Sequence, residues 1–137
     1  MCDVFLIYIK KVKPKVTPDF KDFYIRYPGH IKYVPNKMIQ DDTIEVVVQK
    51  LEMLLFTQTG ELFGDIGFGS DLEYYLWQTD IPSNELRNLI STQISNYIPE
   101  LEQIGYTMSI NIYEGTVQDI LVLDFVIKGY NIEFIIK

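Results

Sequence analysis

Apolar residues along this chain change their spacing twice, and each change marks a different kind of element. From about 43 to 56, Ile44, Val47, Val48, Leu51, Leu54 and Leu55 recur at the i, i+3, i+4, i+7 intervals of a helix with one buried face. Asp42-Thr43-Ile44-Glu45 places an acceptor ahead of this pattern and a glutamate three positions later, which predicts a capping box. The consecutive Val46, Val47 and Val48 lower helix propensity, but the period outweighs them. The helix should end near Phe56, before the Thr59-Gly60 break. A second box, Ser70-Asp71-Leu72-Glu73, predicts a short helix with Leu72, Tyr75 and Leu76 inward. Pro82-Ser83 starts a third, on which Leu86, Leu89, Ile90, Ile94, Tyr97 and Ile98 face one way. Pro99 is expected to stop it, because proline cannot continue the hydrogen-bond ladder comfortably.

Beyond that proline the period becomes two. Ile104, Tyr106, Met108, Ile110 and Ile112 alternate with Gly105, Thr107, Ser109, Asn111 and Tyr113, the pattern of a half-buried strand. A turn is expected around Glu114-Gly115. The nearly unbroken apolar run 120–127 predicts a central strand. Lys128-Gly129 turns the chain again, and Tyr130, Ile132, Phe134 and Ile136 share one side of a closing strand. The expected fold is α+β: three helices packed on a small antiparallel β-meander, with an extended N-terminal arm.

The arm is the part without a helical period. Residues 4–9 (VFLIYI) read as a strand, and 10–40 carry four of the six prolines. Phe20, Phe23, Tyr24, Tyr27 and Tyr33 stud the arm, and so many aromatics imply that it docks on something. The chain is therefore expected to divide into a basic, proline-containing arm at 1–40 and an α+β domain at 41–137.

Charge sharpens that division. The net charge is −7, but residues 1–37 hold eight Lys/Arg against three acids, a net of +5. The remaining hundred residues hold four basic groups against sixteen acids, a net of −12. This is either a mildly basic region beside an acidic domain or a head-to-tail charge pattern that steers association. With 137 residues, 47% hydrophobic, the chain is long enough for one core. No apolar run reaches the roughly 18 residues of a membrane span. The 4–9 run is short, its lysines follow it and no small-residue cleavage site is present, so it is not read as a signal peptide and the chain is expected to stay in the cytoplasm of the cell that makes it.

Candidate chemistry is sparse. One cysteine, Cys2, builds no internal disulfide, and one histidine, His30, excludes any site that needs two. Neither is assigned a role, and no cofactor or metal is expected. Glu61, Asp65, Asp71 and Glu73 lie within thirteen residues, and paired carboxylates are what glycoside hydrolysis requires. Asp71 and Glu73, however, suit the first turn of a helix, where negative charge is favoured. Gly64–Gly69 holds a G-x-x-G-x-G run, but without a parallel βαβ context a nucleotide reading is weak. The basic arm invites a nucleic-acid reading that the acidic body opposes. The closing strand is apolar on one face. As an edge it would invite a neighbouring chain by β-augmentation; alternatively residues 4–9 cover it.

Residues 54–77, LLFTQTGELFGDIGFGSDLEYYLW, resemble the baseplate-wedge family of contractile phage tails, which also occurs in secretion and bacteriocin-like contractile machines. That family shows a helix, then Thr-x-x-Gly-Glu/Ser, then Phe-Gly-Ser/Cys-x-Leu and a short hydrophobic helix. The matching positions are Thr57, Gly60, Glu61, Phe68, Gly69, Ser70, Leu72, Leu76 and Trp77. The third helix, Asn96-Tyr97-x-Pro99 and the meander extend the resemblance over about 43–135. Two positions depart: Ile66 stands where the family often has proline, and Ile98-Pro99-Glu100 replaces Glu-Pro-Arg, exchanging a bidentate donor for an acceptor.

The resemblance implies a non-enzymatic sheath-initiator subunit. It would join the inner baseplate, beside other wedge proteins and the tail tube or hub, and start sheath polymerisation by strand exchange. Several copies would stand in a six-fold virion baseplate assembled in the host cytoplasm, with no nucleic acid or membrane partner. Its interaction residues would be Gly60, Glu61, Phe68, Gly69, Ser70, Leu72, Pro99 and Glu100, with Tyr130, Ile132, Phe134 and Ile136 on the closing strand. Within it, Phe68 would anchor the loop, Gly69 would turn the backbone and Ser70 would cap the short helix. Deleting 130–137 would leave wedge incorporation partly intact and block sheath growth. Some relatives are labelled lysozyme-like, so the alternative is a glycan-cleaving tail enzyme using Glu61 or Asp65.

Overall fold

The computed structural model describes residues 8–10, 21–78, 80 and 82–137. In chain order the elements are strands β1 (Tyr8–Lys10), β2 (Asp22–Phe23) and β3 (Ile39–Gln40), helices α1 (Thr43–Phe56), α2 (Leu72–Leu76), α3 (Ser83–Tyr97) and α4 (Pro99–Ile104), and strands β4 (Tyr106–Tyr113), β5 (Ile120–Ile127) and β6 (Tyr130–Ile136). The architecture is α+β, as the periods require. The expectation for residues 4–7 and 11–20 lies outside the described residues.

α1 has the predicted limits. Asp42 caps it by accepting from Ile44 N at 2.9 Å. The reciprocal half of the box is not the one observed: Glu45 pairs with Lys37 Nζ at 3.0 Å. The helix buries more than its periodic stripe, since Val46 and Gln49 are also covered. The Gln49 amide explains part of this. It donates to Phe23 O at 2.7 Å, and Ile25 N donates weakly to its oxygen at 3.5 Å, so the 21–40 segment lies along α1.

There are four helices rather than three among the described residues. Pro99 does end α3, but it also begins α4 as its first residue, where proline's missing N–H costs nothing and its fixed φ suits a helix. Ile104, expected on a strand, closes α4, and β4 starts at Tyr106.

The large sheet has the antiparallel order β1-β6-β5-β4. β5 is interior, as its apolar run predicts, and joins β6 through a two-residue turn in which Lys128 and Gly129 both have positive φ. The core faces of β4 and β6 follow the predicted alternation. Leu51 and Leu54 of α1, Leu86, Ile90 and Ile94 of α3, and Leu121, Leu123, Phe125, Ile132 and Phe134 of the sheet form one fully buried cluster. A second, two-stranded antiparallel ribbon pairs β2 with β3.

β6 is not an edge strand. β1 pairs with its outer side at Asn131, Ile132 and Glu133. The terminal strand is therefore covered by the chain's own N-terminal segment. Among the described residues, the long strand with an unpaired side is β4.

Candidate functional site

The glycine-rich loop between α1 and α2 carries most of the nominated residues, and its shape follows from three local contacts. Thr57 ends α1 and donates through Oγ1 to Met53 O at 2.6 Å. Gln58 and Glu61 then close a tight turn: Glu61 N donates to Gln58 O at 3.1 Å, and Gln58 N donates to the Glu61 carboxylate at 2.9 Å. At the far end the chain returns to its starting point, with Ser70 N donating to Thr57 O at 3.1 Å.

Gly69 makes this return possible. Its φ is +124°, and a Cβ there would lie 2.6 Å from Thr57 O, 2.8 Å from Gln58 C and 2.9 Å from Thr59 N. All three are backbone atoms, so nothing flexible is available to yield. The predicted turning role of Gly69 holds.

Ser70 does not cap α2, contrary to the sequence expectation. Its buried hydroxyl lies 3.1 Å from both the Leu54 and the Leu55 carbonyls and donates to that pair. The last turn of α1 leaves carbonyls without helical partners, and Ser70 satisfies them. The residue preceding α2 is Asp71, in the left-handed region at φ 46°, with no side-chain cap. Its carboxylate accepts from Thr59 N at 2.7 Å, a second tie across the loop. Leu72 is buried and roots α2.

α3 holds the loop from the other side. Phe68 packs edge-on against Tyr97 with ring centroids 5.0 Å apart, which fits the expected anchoring. Tyr97 Oη donates to Asp65 Oδ1 at 3.0 Å, and Gln93 Nε2 donates to Gly67 O at 3.0 Å. Partial burial, and then the Asp65 hydrogen bond and charge, raise the Tyr97 phenol above its ordinary value. Sequence reasoning placed Tyr97 on the core face of its helix and in the Asn96-Tyr97-x-Pro99 segment of the resemblance, without a tie to the loop, and overlooked Gln93. Their spacing of four carried the signal of a shared face, but nothing in sequence said that a distant loop would meet it.

Held in this way, the loop presents its apolar apex outward. Phe63 is fully exposed and Ile66 is 78% exposed. Beside it, Gln58, Asp71, Glu73, Tyr74 and Trp77 line an open hollow of about 540 Å³. The two carboxylates considered for glycan chemistry, Glu61 and Asp65, accept hydrogen bonds that shape the loop itself. Gly60 turns at φ +91° with open space around it.

The remaining nominated residues are not at this loop. Glu100, in the first turn of α4, accepts from Lys50 Nζ of α1 at 2.7 Å. Burial alone would raise its carboxyl, but the Lys50 hydrogen bond, a backbone N–H and the Lys50 charge together hold it below the ordinary range. Its role in this fold is a tie between α1 and α4, with Pro99 setting the start of α4. Tyr130, Ile132, Phe134 and Ile136 were expected to meet neighbours. All four are buried in the chain's own core, because the face that is apolar for packing is the one turned toward the helices. Among the described residues the long strand with an open side is β4.

On β4, antiparallel pairing sends alternate N–H and C=O groups off the open side. Met108 O accepts from Arg87 Nη1 of α3 at 2.9 Å. The guanidinium covers one point of the edge, a common way for a fold to limit unwanted pairing. No cluster of His, Cys, Asp and Glu able to hold a metal occurs among the described residues. None of their helices is long and apolar enough to cross a membrane. No protein-family model matches the chain, and no curated protein matches it.

Proposed function

We propose that this chain is a structural subunit of a contractile phage-type tail baseplate, a wedge component that joins the inner baseplate and starts sheath polymerisation. Its partners in that reading are other wedge proteins, the sheath protein and tail tube or hub proteins, around a six-fold ring in the virion. The observation that carries it is the loop clamped from behind by Gly69, Ser70 and Tyr97 with Phe63 and Ile66 bare at its apex. Exposed apolar side chains on a backbone already fixed suit a protein partner, because burial is gained with little ordering cost. Strand exchange then uses the open side of β4 rather than β6, with Arg87 displaced as the sheath strand arrives.

The test mixes the purified chain with its sheath protein and counts sheaths by electron microscopy. The chain should raise the number of sheaths well above sheath protein alone. Ile112→Pro, near the end of β4, should lower it while the monomer still folds, since proline is tolerated on an open edge but cannot donate there. Phe63→Ser with Ile66→Ser should weaken incorporation into the baseplate. Counts no higher than sheath protein alone would defeat the proposal. Peptidoglycan clearing by the wild type, lost in Glu61→Gln, would replace it with a hydrolase.

A further inference from the structure

A cleft of about 390 Å³ opens between the 24–37 segment and the first turns of α1. Its apolar lining comes from Ile31, Val34, Ile44, Val48 and Tyr130. Arg26, Lys32 and Lys37 bring three cations to the same cleft. α1 contributes the nearby acids, and these are largely committed. Asp42 caps the helix. Glu45 holds Lys37 at 3.0 Å, and Glu52 takes His30 Nε2 at 2.6 Å with Arg26 Nε at 3.9 Å. Three phenols, Tyr24, Tyr33 and Tyr130, also face the cleft, and Tyr24 Oη already donates to Lys32 O.

Lys32 is left over. It makes no ion pair among the described residues, although it is half-buried. Arg26, whose side chain is only 6% exposed, has an Nε with no hydrogen-bond partner. Burial first, and then the Arg26 charge, lower the Lys32 ammonium to about 8, further than Glu52 and Glu45 raise it. An apolar-lined cleft whose half-buried ammonium makes no ion pair among the described residues can take a further carboxylate on that ammonium.

We propose that this cleft binds an acidic segment of a partner protein, with an Asp or Glu carboxylate meeting Lys32 and an adjacent apolar side chain on the Ile44–Val48 lining. Charge complementarity selects that occupant. Residues 21–40 hold four basic groups and one acid, while the chain beyond 37 carries −12 and repels an acidic partner elsewhere. The inference does not depend on the assembly being a contractile tail.

The test uses the full chain and a labelled peptide, acetyl-Gly-Asp-Leu-Phe-Asp-Gly-amide, followed by fluorescence anisotropy, with the Asn-for-Asp peptide as its neutral counterpart. The acidic peptide should bind roughly tenfold more tightly than the neutral one, as a charge-assisted contact does. Wild-type affinity should fall as pH rises through about 8 and Lys32 loses its proton. Lys32→Arg keeps its charge, so its affinity should stay level over the same range. Lys32→Gln should bind weakly throughout, and Lys50→Gln, outside the cleft, should match the wild type. Equal binding of the two peptides, no binding of either, or the same pH profile in wild type and Lys32→Arg would each overturn the proposal. So would tighter binding of dodecanoate that displaces the peptide, which would make this a site for an acyl carboxylate. Any of these leaves the sheath count unaffected.

Discussion

Gly69 stands where the backbone leaves no room for a side chain. A branched side chain there meets a left-handed backbone and three backbone atoms at once. Gly69→Val should cost about 3 kcal/mol or more, read as a lowered denaturant midpoint, and should detach the loop from the end of α1. Gly60→Ala is the control: its φ is +91° but nothing lies within 4 Å, so only the conformational term of about 1 kcal/mol applies. Equal losses in the two variants would mean that steric closure is unimportant. At this scale the motif was legible as Phe68-Gly69-Ser70, yet only part of its chemistry was. Spacing identifies Ser70 as a helix-start residue by type. The left-handed turn at Gly69 points its hydroxyl back to Leu54 and Leu55, and no local pattern encodes that return.

Elements were the most legible level, because helices and strands write their burial into a period. α1, α3, β5 and β6 lie where the apolar spacing places them. Their neighbours did not follow from spacing. Whether β6 is open to a neighbour or covered by residues 4–9 was left undecided by its pattern; β1 covers it, and its apolar face is core. Deleting 130–137 should therefore abolish cooperative unfolding and soluble expression, rather than leave a wedge that merely fails to grow sheath. A soluble deletion variant with a sharp melt would restore the edge reading.

The Lys50–Glu100 pair shows the same dependence on tertiary context, since it spans fifty residues. Glu100 sits below its ordinary 4.5 when folded. Its contribution is therefore complete above pH 4.5 and fades as pH falls through the lower, folded value. Glu100→Gln should cost about 1 kcal/mol near neutrality, and the gap to wild type should close in acid. A gap that is constant with pH would show that the charge contributes nothing.

At the scale of the whole molecule, the arm is part of the body over the residues described. Gln49 bonds its strand β2, and Glu52 draws in both His30 and Arg26. His30 Nδ1 accepts from Lys32 N at 3.1 Å, so the ring proton belongs on Nε2, where it donates to Glu52. His30→Ala leaves that carboxylate with a weaker partner and should cost about 1–2 kcal/mol. Limited proteolysis should then cut within 21–40 before the core opens. Unchanged protection of this segment would show that the His30 tether does not hold the arm.

What the sequence determined by itself is the set of things written in neighbouring residues. These are the α+β class, the limits of α1, the alternating faces of β4 and β6, the glycine turn at 69 and the separation of basic from acidic charge. They are local because periodicity, capping and turn chemistry act within a few positions. The tertiary structure alone decided which long strand among the described residues is left open, which acids are already used, and that Lys32 makes no ion pair among those residues. Those outcomes depend on which distant groups meet, and a buried charge or an unpaired backbone has no energetic meaning until its surroundings are in place.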